Sequence, residues 1–471
     1  MVYNIDMKRI IFAFLLFVAG ISCLSADKVY KLDNGLKLFV EENHSVPLTY
    51  IEIAVKCGSY TQTEETAGLF HLYEHMMFKG NSLYKDASSV NRALSDMGVS
   101  EWNGTTGLEC VNYFFTVPKD MTKTGLEFWN AAIRFPLLDK KEFENEKKVV
   151  LSEINGQAGE PEDIYMKKRS TLLFSDAPYT MSPSGTDECV KNATIKQLKE
   201  IQKKYYVPNN SAVFVGGDVN ADEVYQMVKE IFGSWKKAKD PFASGMVRHS
   251  KTPFSEPKLC VMPYDKMSDS LANIIVDFRG PDAAYEREDT YAIDILLNVI
   301  ANPEGTFKKT LLADTMNGIP DTGCAGGSYQ TRRTCGTISF YEKIVQPDKD
   351  IPERALYFAE NIYGVLEKTI SEIDDSVLEK VIRRLDDDNI IATQTASGYL
   401  STLRFWWTTC DEEYYYGYNE NMKKVGKSEL LVLINKYIRE KNPLITVLVS
   451  PGVYEKTKEE YAKAGFEEIK K

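Results

Sequence analysis

Apolar and polar positions alternate along residues 29 to 56 with the period of a strand. A turn signal at Asp33-Asn34-Gly35 separates Val29-Tyr30-Lys31-Leu32 from Leu36-Lys37-Leu38-Phe39-Val40. A second strand runs from Tyr50 to Lys56 and stops near Gly58. The period then lengthens to that of a helix, which begins after the polar segment Thr61 to Thr66 and runs through His75. Helical patterns recur over Phe143 to Gly156, Ala193 to Tyr206 and Asp222 to Phe232. Between the last two, Ser211 to Val215 is a short apolar strand closed by Gly216-Gly217-Asp218.

The same order returns later in the chain. Leu259-Cys260-Val261-Met262 leads to the strand Asn273 to Phe278 and Gly280, then to helical patterns over Thr290 to Ile300 and Asp375 to about Ile391. Ser428 to Glu440 continues through Pro443 to the strand Leu444 to Val449 and Pro451-Gly452. Glu146-Lys-Lys-Val-Val-Leu-Ser-Glu153 sits opposite Glu379-Lys-Val-Ile-Arg-Arg-Leu-Asp386. The repetition predicts a duplicated α+β protein, each half an antiparallel sheet with helices. The expected division is residues 27–240 and 258–471, joined through residues 241–257 of the polar stretch Lys236 to Pro257.

Composition narrows the function. With 43% hydrophobic and 27% charged residues the chain reads as folded and soluble, and 471 residues are enough for two domains. A net charge of −11 argues against nucleic acid as a partner, because phosphate binding needs a basic face. Lys8 and Arg9 precede the apolar run Ile10 to Ile21 and the small residues around Ser22 and Ala26, the pattern of a secretory signal over residues 1–26. This predicts export. In a bacterial chain the destination would be the periplasm or, since Gly20-Ile21-Ser22-Cys23 weakly resembles a lipobox, a lipid anchor on Cys23. The other cysteines are scattered without a C-x-x-C pair, so a thiolate metal site is not expected. A bridge between Cys324 and Cys335 would suit neighbouring strands.

Candidate chemistry concentrates at His71-Leu72-Tyr73-Glu74-His75, in a chain with only 4 histidines. Positions i and i+4 place His71 and His75 one turn apart on one helix face, where both imidazoles can reach one Zn²⁺. Glu74 stands beside them as general base toward water acidified by the metal. Catalytic zinc takes three protein ligands and keeps one position open. Glu146 and Glu153 lie nearly on one helix face after two turns, yet spacing alone does not select Glu153 among so many carboxylates.

These segments resemble the pitrilysin/insulinase family, in the shorter branch with mitochondrial processing peptidases and bacterial zinc proteases. The resemblance runs through Ala67-Gly68-Leu69-Phe70-His71-Leu72-Tyr73-Glu74-His75-Met76-Met77-Phe78-Lys79-Gly80, through Glu146 to Glu153, and through Ala177-Pro178-Tyr179, Gly185, Tyr206 to Asn210 and Gly216 to Val219. It implies two α/β-roll halves forming half of a clam-shell, with one zinc ion bound by His71, His75 and Glu153. It also implies Glu74 as base and Glu146 as a supporting carboxylate. Ser100 to Thr106, before the strand Cys110 to Val117, corresponds to a segment along the family's cleft, and Asn103 is its candidate for a backbone or oxyanion contact.

Allowing a one-residue shift, Asp294, Leu297 and Asn298 fall opposite His71, Glu74 and His75, so the second half is expected to lack zinc. The family's substrate-anchoring Arg and Tyr are missing from Leu311 to Asp321. The expected protein is therefore a zinc metalloendopeptidase acting on extended or unfolded peptides, as a homodimer or as a heterodimer with a related chain. Its rival is a non-catalytic or partner-dependent subunit.

Overall fold

The computed structural model describes residues 27–99, 101–157, 159–175, 178–316 and 318–470. The expected signal segment and Cys23 lie outside the described residues, as do Ser100, Ala177 and Asn317.

The first half builds one sheet from β1 (Asp27–Lys31), β2 (Lys37–Glu42), β3 (Leu48–Val55), β4 (Trp102–Thr106), β5 (Val111–Pro118) and β6 (Ser211–Gly217), in the order β1-β2-β6-β3-β5-β4. Three of its helices carry the argument below: α1 (Leu69–Met76), α2 (Lys140–Gln157) and α3 (Pro161–Leu173). The second half repeats the plan with β7 (Lys258–Pro263), β8 (Leu271–Arg279), β9 (Ala325–Gln330), β10 (Thr337–Val345), β11 (Leu444–Val449) and β12 (Glu467–Glu468), ordered β12-β7-β11-β8-β10-β9. Its helices α4 (Arg287–Ala301) and α5 (Asp375–Ala392) take the places of α1 and α2, and α6 (Ala396–Thr409) that of α3. A short helix, α7 (Tyr418–Met422), follows.

Each sheet is antiparallel for most of its width, as expected, but a returning strand enters parallel to its neighbour: β6 on β2 and β11 on β7. The duplication breaks only at one edge. There β1 pairs antiparallel with β2, whereas β12 arrives from the C-terminus parallel to β7. No helix or strand lies between Phe232 and Lys258.

Alternation along β3 explains how the halves join. Ile51, Ile53 and Val55 face the core of their own half. Tyr50 and Ala54 point the other way and join Phe39, Phe214 and, from α6, Leu400, Leu403 and Trp407. The second sheet is covered reciprocally: Tyr165 and Leu173 of α3 pack with Cys260, Met262, Leu444 and Leu448. Each half thus lends a helix to the outer face of the other half's sheet.

Both lent helices bring an arginine to a buried carboxylate. Arg169 on α3 donates Nε to Asp277 Oδ2 at 2.9 Å and Nη2 to Oδ1 at 2.8 Å. Arg404 on α6 places Nε 2.6 Å from Glu52 Oε1. The cysteines among the described residues are unbridged, so the expected Cys324–Cys335 link is corrected. Cys335 Sγ instead lies 3.6 Å from His249 Nδ1 and Cys324 Sγ 3.4 Å from Asp321 Oδ2. Among the described residues no helix is long and apolar enough to cross a membrane.

Candidate metal centre

Helix α1 starts where the backbone can turn sharply. Gly68 has φ +89°, and its N–H donates to Gln62 Oε1 at 2.6 Å. A Cβ on Gly185 would fall 2.3 Å from Gly68, so only two glycines let these segments touch. Leu69, Phe70, Leu72, Tyr73 and Met76 then anchor the helix in the core. The remaining face carries His71 and His75, whose side chains keep 18% and 17% of their exposure.

The two imidazoles converge on α2. His71 Nε2 and His75 Nε2 are 3.3 Å apart, and Glu153 Oε2 is 3.7 Å from each. Ligands about 2.0–2.2 Å from a tetrahedral zinc ion stand roughly 3.3–3.6 Å from one another. The triangle therefore fits one such ion with little adjustment, and the nitrogen and carboxylate donor set suits it. Burial and the neighbouring His75 lower the His71 pKa to about 4, which keeps the ring neutral and able to coordinate.

Behind His75, Glu146 Oε2 lies 3.0 Å from Nδ1, so the ring donates there and turns the Nε2 lone pair toward Glu153. Lys79 Nζ lies 2.8 Å from Glu146 Oε1 and pairs with that buried carboxylate. His71 Nδ1 is buried and has no hydrogen-bond partner among the described residues. The two imidazoles are thus oriented differently, one by a carboxylate and one by packing.

Glu74 occupies the same turn as His75 and is buried. Its Oε2 accepts from Thr106 Oγ1 at 3.0 Å. Burial raises its pKa, and the Thr106 hydrogen bond opposes that rise. Strand β4 comes this close because residue 104 is glycine: a Cβ there would stand 2.9 Å from Glu74 Oε1. Glu74 is thereby held on the strand that forms the free edge of the sheet. Asn103 lies on the same strand with its side chain exposed, paired in register with Phe114. It is not drawn into the cluster. Trp102 packs at a tilt against Phe78, with ring centroids 4.4 Å apart.

Sequence reasoning brought His71, Glu74, His75, Glu146 and Glu153 to one place but missed Thr106, Lys79 and the Trp102–Phe78 contact. Lys79 was visible as the residue one turn beyond His75. Thr106 and Trp102 depend on how β4 crosses α1, which no local pattern encodes. In the second half, Asp294 Oδ2 accepts from Tyr418 Oη at 2.5 Å, and Asn298 turns back to donate to the Asp294 carbonyl at 3.0 Å. Among the described residues only His71, His75 and Glu153 form a group spaced to hold a metal ion.

Comparison with known proteins places this geometry. Residues 37–187 match the family model for insulinase (peptidase family M16), and residues 192–385 match that for the peptidase M16 inactive domain. A Bacillus subtilis protein named as the uncharacterized zinc protease YmxG is 27% identical over 303 residues, 64% of this chain and 69% of its own length. The zinc protease PqqE of Helicobacter pylori is 23% identical over 429 residues, covering 89% of this chain and 92% of its own. Among solved structures, the periplasmic protease PqqL from Escherichia coli superposes with a TM-score of 0.70 at 17% identity. That match covers 93% of this chain and 50% of PqqL, so the chain spans half of that protein. The two models together run from the first sheet to helix α5, and the histidine helix falls within the one that is not called inactive; the chain belongs to the insulinase-like peptidase M16 family.

Proposed function

We propose that this chain is a zinc metalloendopeptidase that cleaves extended or unfolded peptides. The observation that carries the reading is the convergence of His71, His75 and Glu153 at 3.3 to 3.7 Å with Glu74 on the same helical turn. Bound there, zinc supplies Lewis-acid chemistry, acidifying water and polarising a carbonyl. Glu74 takes the proton of the attacking water and returns it to the leaving amine. Its burial supports this task, since a carboxylate of raised pKa is the stronger base. Thr106 holds one Glu74 oxygen, which leaves the other for the water.

An extended peptide is the substrate form that the free edge of β4 can pair with, and the exposed Asn103 on that strand serves as a further polar contact. Zinc protease relatives support the metal, and the sequence pattern of residues 1–26 together with the periplasmic PqqL likeness supports export. The chain would be exported to a cell envelope, with the lipid anchor on Cys23 as its variant.

A chain equivalent to half of PqqL supports pairing with a second copy or a related subunit. One observation favours partner dependence. Residues 311–321 contain neither Arg nor Tyr, so the substrate-anchoring groups implied by the family resemblance would come from another chain.

The test combines metal analysis with a quenched-fluorescence peptide assay, run on the chain alone and with a candidate partner. Glu74→Gln is expected to keep one zinc per chain while cleavage falls by about 10²–10⁴-fold. Chelation is expected to abolish cleavage in the unaltered protein. Full activity in Glu74→Gln would sink the base assignment, and absence of stoichiometric zinc would sink the enzyme.

A further inference from the structure

The outer face of the first sheet meets the second half around a cavity of about 510 Å³, within the roughly 300–1,000 Å³ of small-ligand sites. Its position follows from strand alternation. Lys37 on β2 and Lys56 at the end of β3 point away from the metal helix, toward the side where Trp407 of α6 is buried. Arg333, in the loop between β9 and β10, closes the cavity from the second half.

The charge balance is unusual for a protein of net charge −11. Lys37 is neutralised by Glu412, and the nearby Asp411 by Arg287. Of the other lining cations, Lys31 and Lys237 are exposed, and the half-buried Lys56 and Arg333 have no carboxylate at ion-pair distance among the described residues. The Lys56 ammonium rests 4.5 Å over the Trp407 indole and has no hydrogen-bond acceptor there. Arg333 gives Nη1 to Thr408 O at 2.9 Å, and its Nε is buried and unpartnered. The two lining acids, Asp33 and Asp240, are exposed. Burial, reinforced by Arg333 and Lys37 and opposed by Glu412 and Asp411, lowers the Lys56 pKa to about 7. Two like charges facing one cavity repel each other, and an anion between them relieves that repulsion.

We infer that this cavity is an anion site, in which Lys56 and Arg333 bind a multiply charged oxyanion of the phosphate class and so tie the two halves together. The guanidinium offers planar donors that match phosphate oxygens, and the lysine supplies a point charge. The face is opposite to that of the metal helix, so the site is separate from peptide hydrolysis and does not depend on that reading.

The experiment titrates the full protein with inorganic phosphate, pyrophosphate and glycerol phosphate at matched ionic strength, with chloride as control, by calorimetry and thermal melting. Inorganic phosphate or pyrophosphate alone would identify a free anion, and glycerol phosphate an ester. Saturable binding is expected, weakened at least 10-fold by Lys56→Met. In the absence of phosphate Lys56→Met is expected to melt at or above the parent temperature, because it removes a group whose charged form is repelled by Arg333 and Lys37; a merely structural lysine would give the reverse. Lysine acetylation mapped by mass spectrometry provides a readout without a variant: Lys56 should react readily near neutral pH and be protected by the bound anion. Equal effects of all salts, or unchanged phosphate affinity in Lys56→Met, or labelling of Lys56 indifferent to phosphate, would overturn the site.

Discussion

Helices α1 and α4 hold the same place in the two halves, each packed beside the long helix α2 or α5, yet their polar faces have opposite fates. On α1, His71 and His75 meet Glu153 and leave their ring nitrogens facing one point. On α4 the corresponding Asp294 is capped by the Tyr418 hydroxyl, and Asp386, opposite Glu153, accepts from the next residue, Asn419. Both caps come from helix α7. Stacking of Tyr414 on Tyr291 and on Trp406 consolidates that region. The same scaffold thus presents an accessible cluster in one half and a self-satisfied polar network in the other. Retained geometry is therefore not retained chemistry: what decides is whether the facing donors are left for a ligand or consumed by the protein itself.

The lent helices sharpen the comparison most, because they make the same contact with unequal support. Without Arg169, Asp277 keeps only the Ser339 hydroxyl at 2.6 Å. Without Arg404, Glu52 keeps Tyr50 at 3.0 Å and Asn112 at 2.7 Å, and burial already raises its pKa toward the neutral form. Breaking a buried ion pair from one side costs about 3–5 kcal/mol. Arg169→Met is expected at the upper end of that range and Arg404→Met below it, read as urea midpoints at constant m-value. Equal losses would mean that the halves are held by packing and that the remaining hydrogen bonds count for little.

The next effect separates the two long helices. Glu146 orients His75 from behind, whereas its counterpart Glu379 is exposed on α5. Glu146→Gln is expected to weaken zinc binding by about 10–100-fold, and Glu379→Gln to leave it unchanged, measured by competition with a chromophoric chelator. If Glu146→Gln bound zinc as tightly as the parent, the carboxylate would serve Lys79 and the fold instead.

Much of this arrangement was legible in the chain because it is periodic. Alternation around Leu36 to Val40 and Ile51 to Val55, helical spacing through His71 and His75, and the echo of Glu146–Glu153 in Glu379–Asp386 are all local signals. The helices α3 and α6 went unread, and so did their arginines. Their apolar residues are matched to a sheet in the other half of the chain, and nothing in the window around Arg169 names Asp277 as its partner. The same holds for Thr106 beside Glu74 and Tyr418 over Asp294. Contacts of that kind depend on the crossing of elements, which periodicity does not specify.

Asp294 offers the finest test of the contrast, because a carboxylate absorbed into the scaffold should still report its burial. Burial pushes its pKa up to about 6 from 3.8, against the hydrogen bond from Tyr418. The native state therefore holds this proton more tightly than the unfolded chain does. The resulting contribution favours folding at low pH, is lost as pH rises from about 4 to 6, and stays constant above that. Asparagine keeps an acceptor for Tyr418 but cannot ionise. Asp294→Asn should thus gain stability relative to the parent across that window and then plateau. Two pKa units correspond to nearly 3 kcal/mol, and partial exposure reduces the expectation to about 1–2 kcal/mol. Urea midpoints of both proteins at pH 4, 5, 6 and 7 read the effect directly. A difference independent of pH would mean that Asp294 titrates alike in the folded and unfolded chain, and that water or a bound cation, not Tyr418 alone, fills the place where the first half holds its histidines.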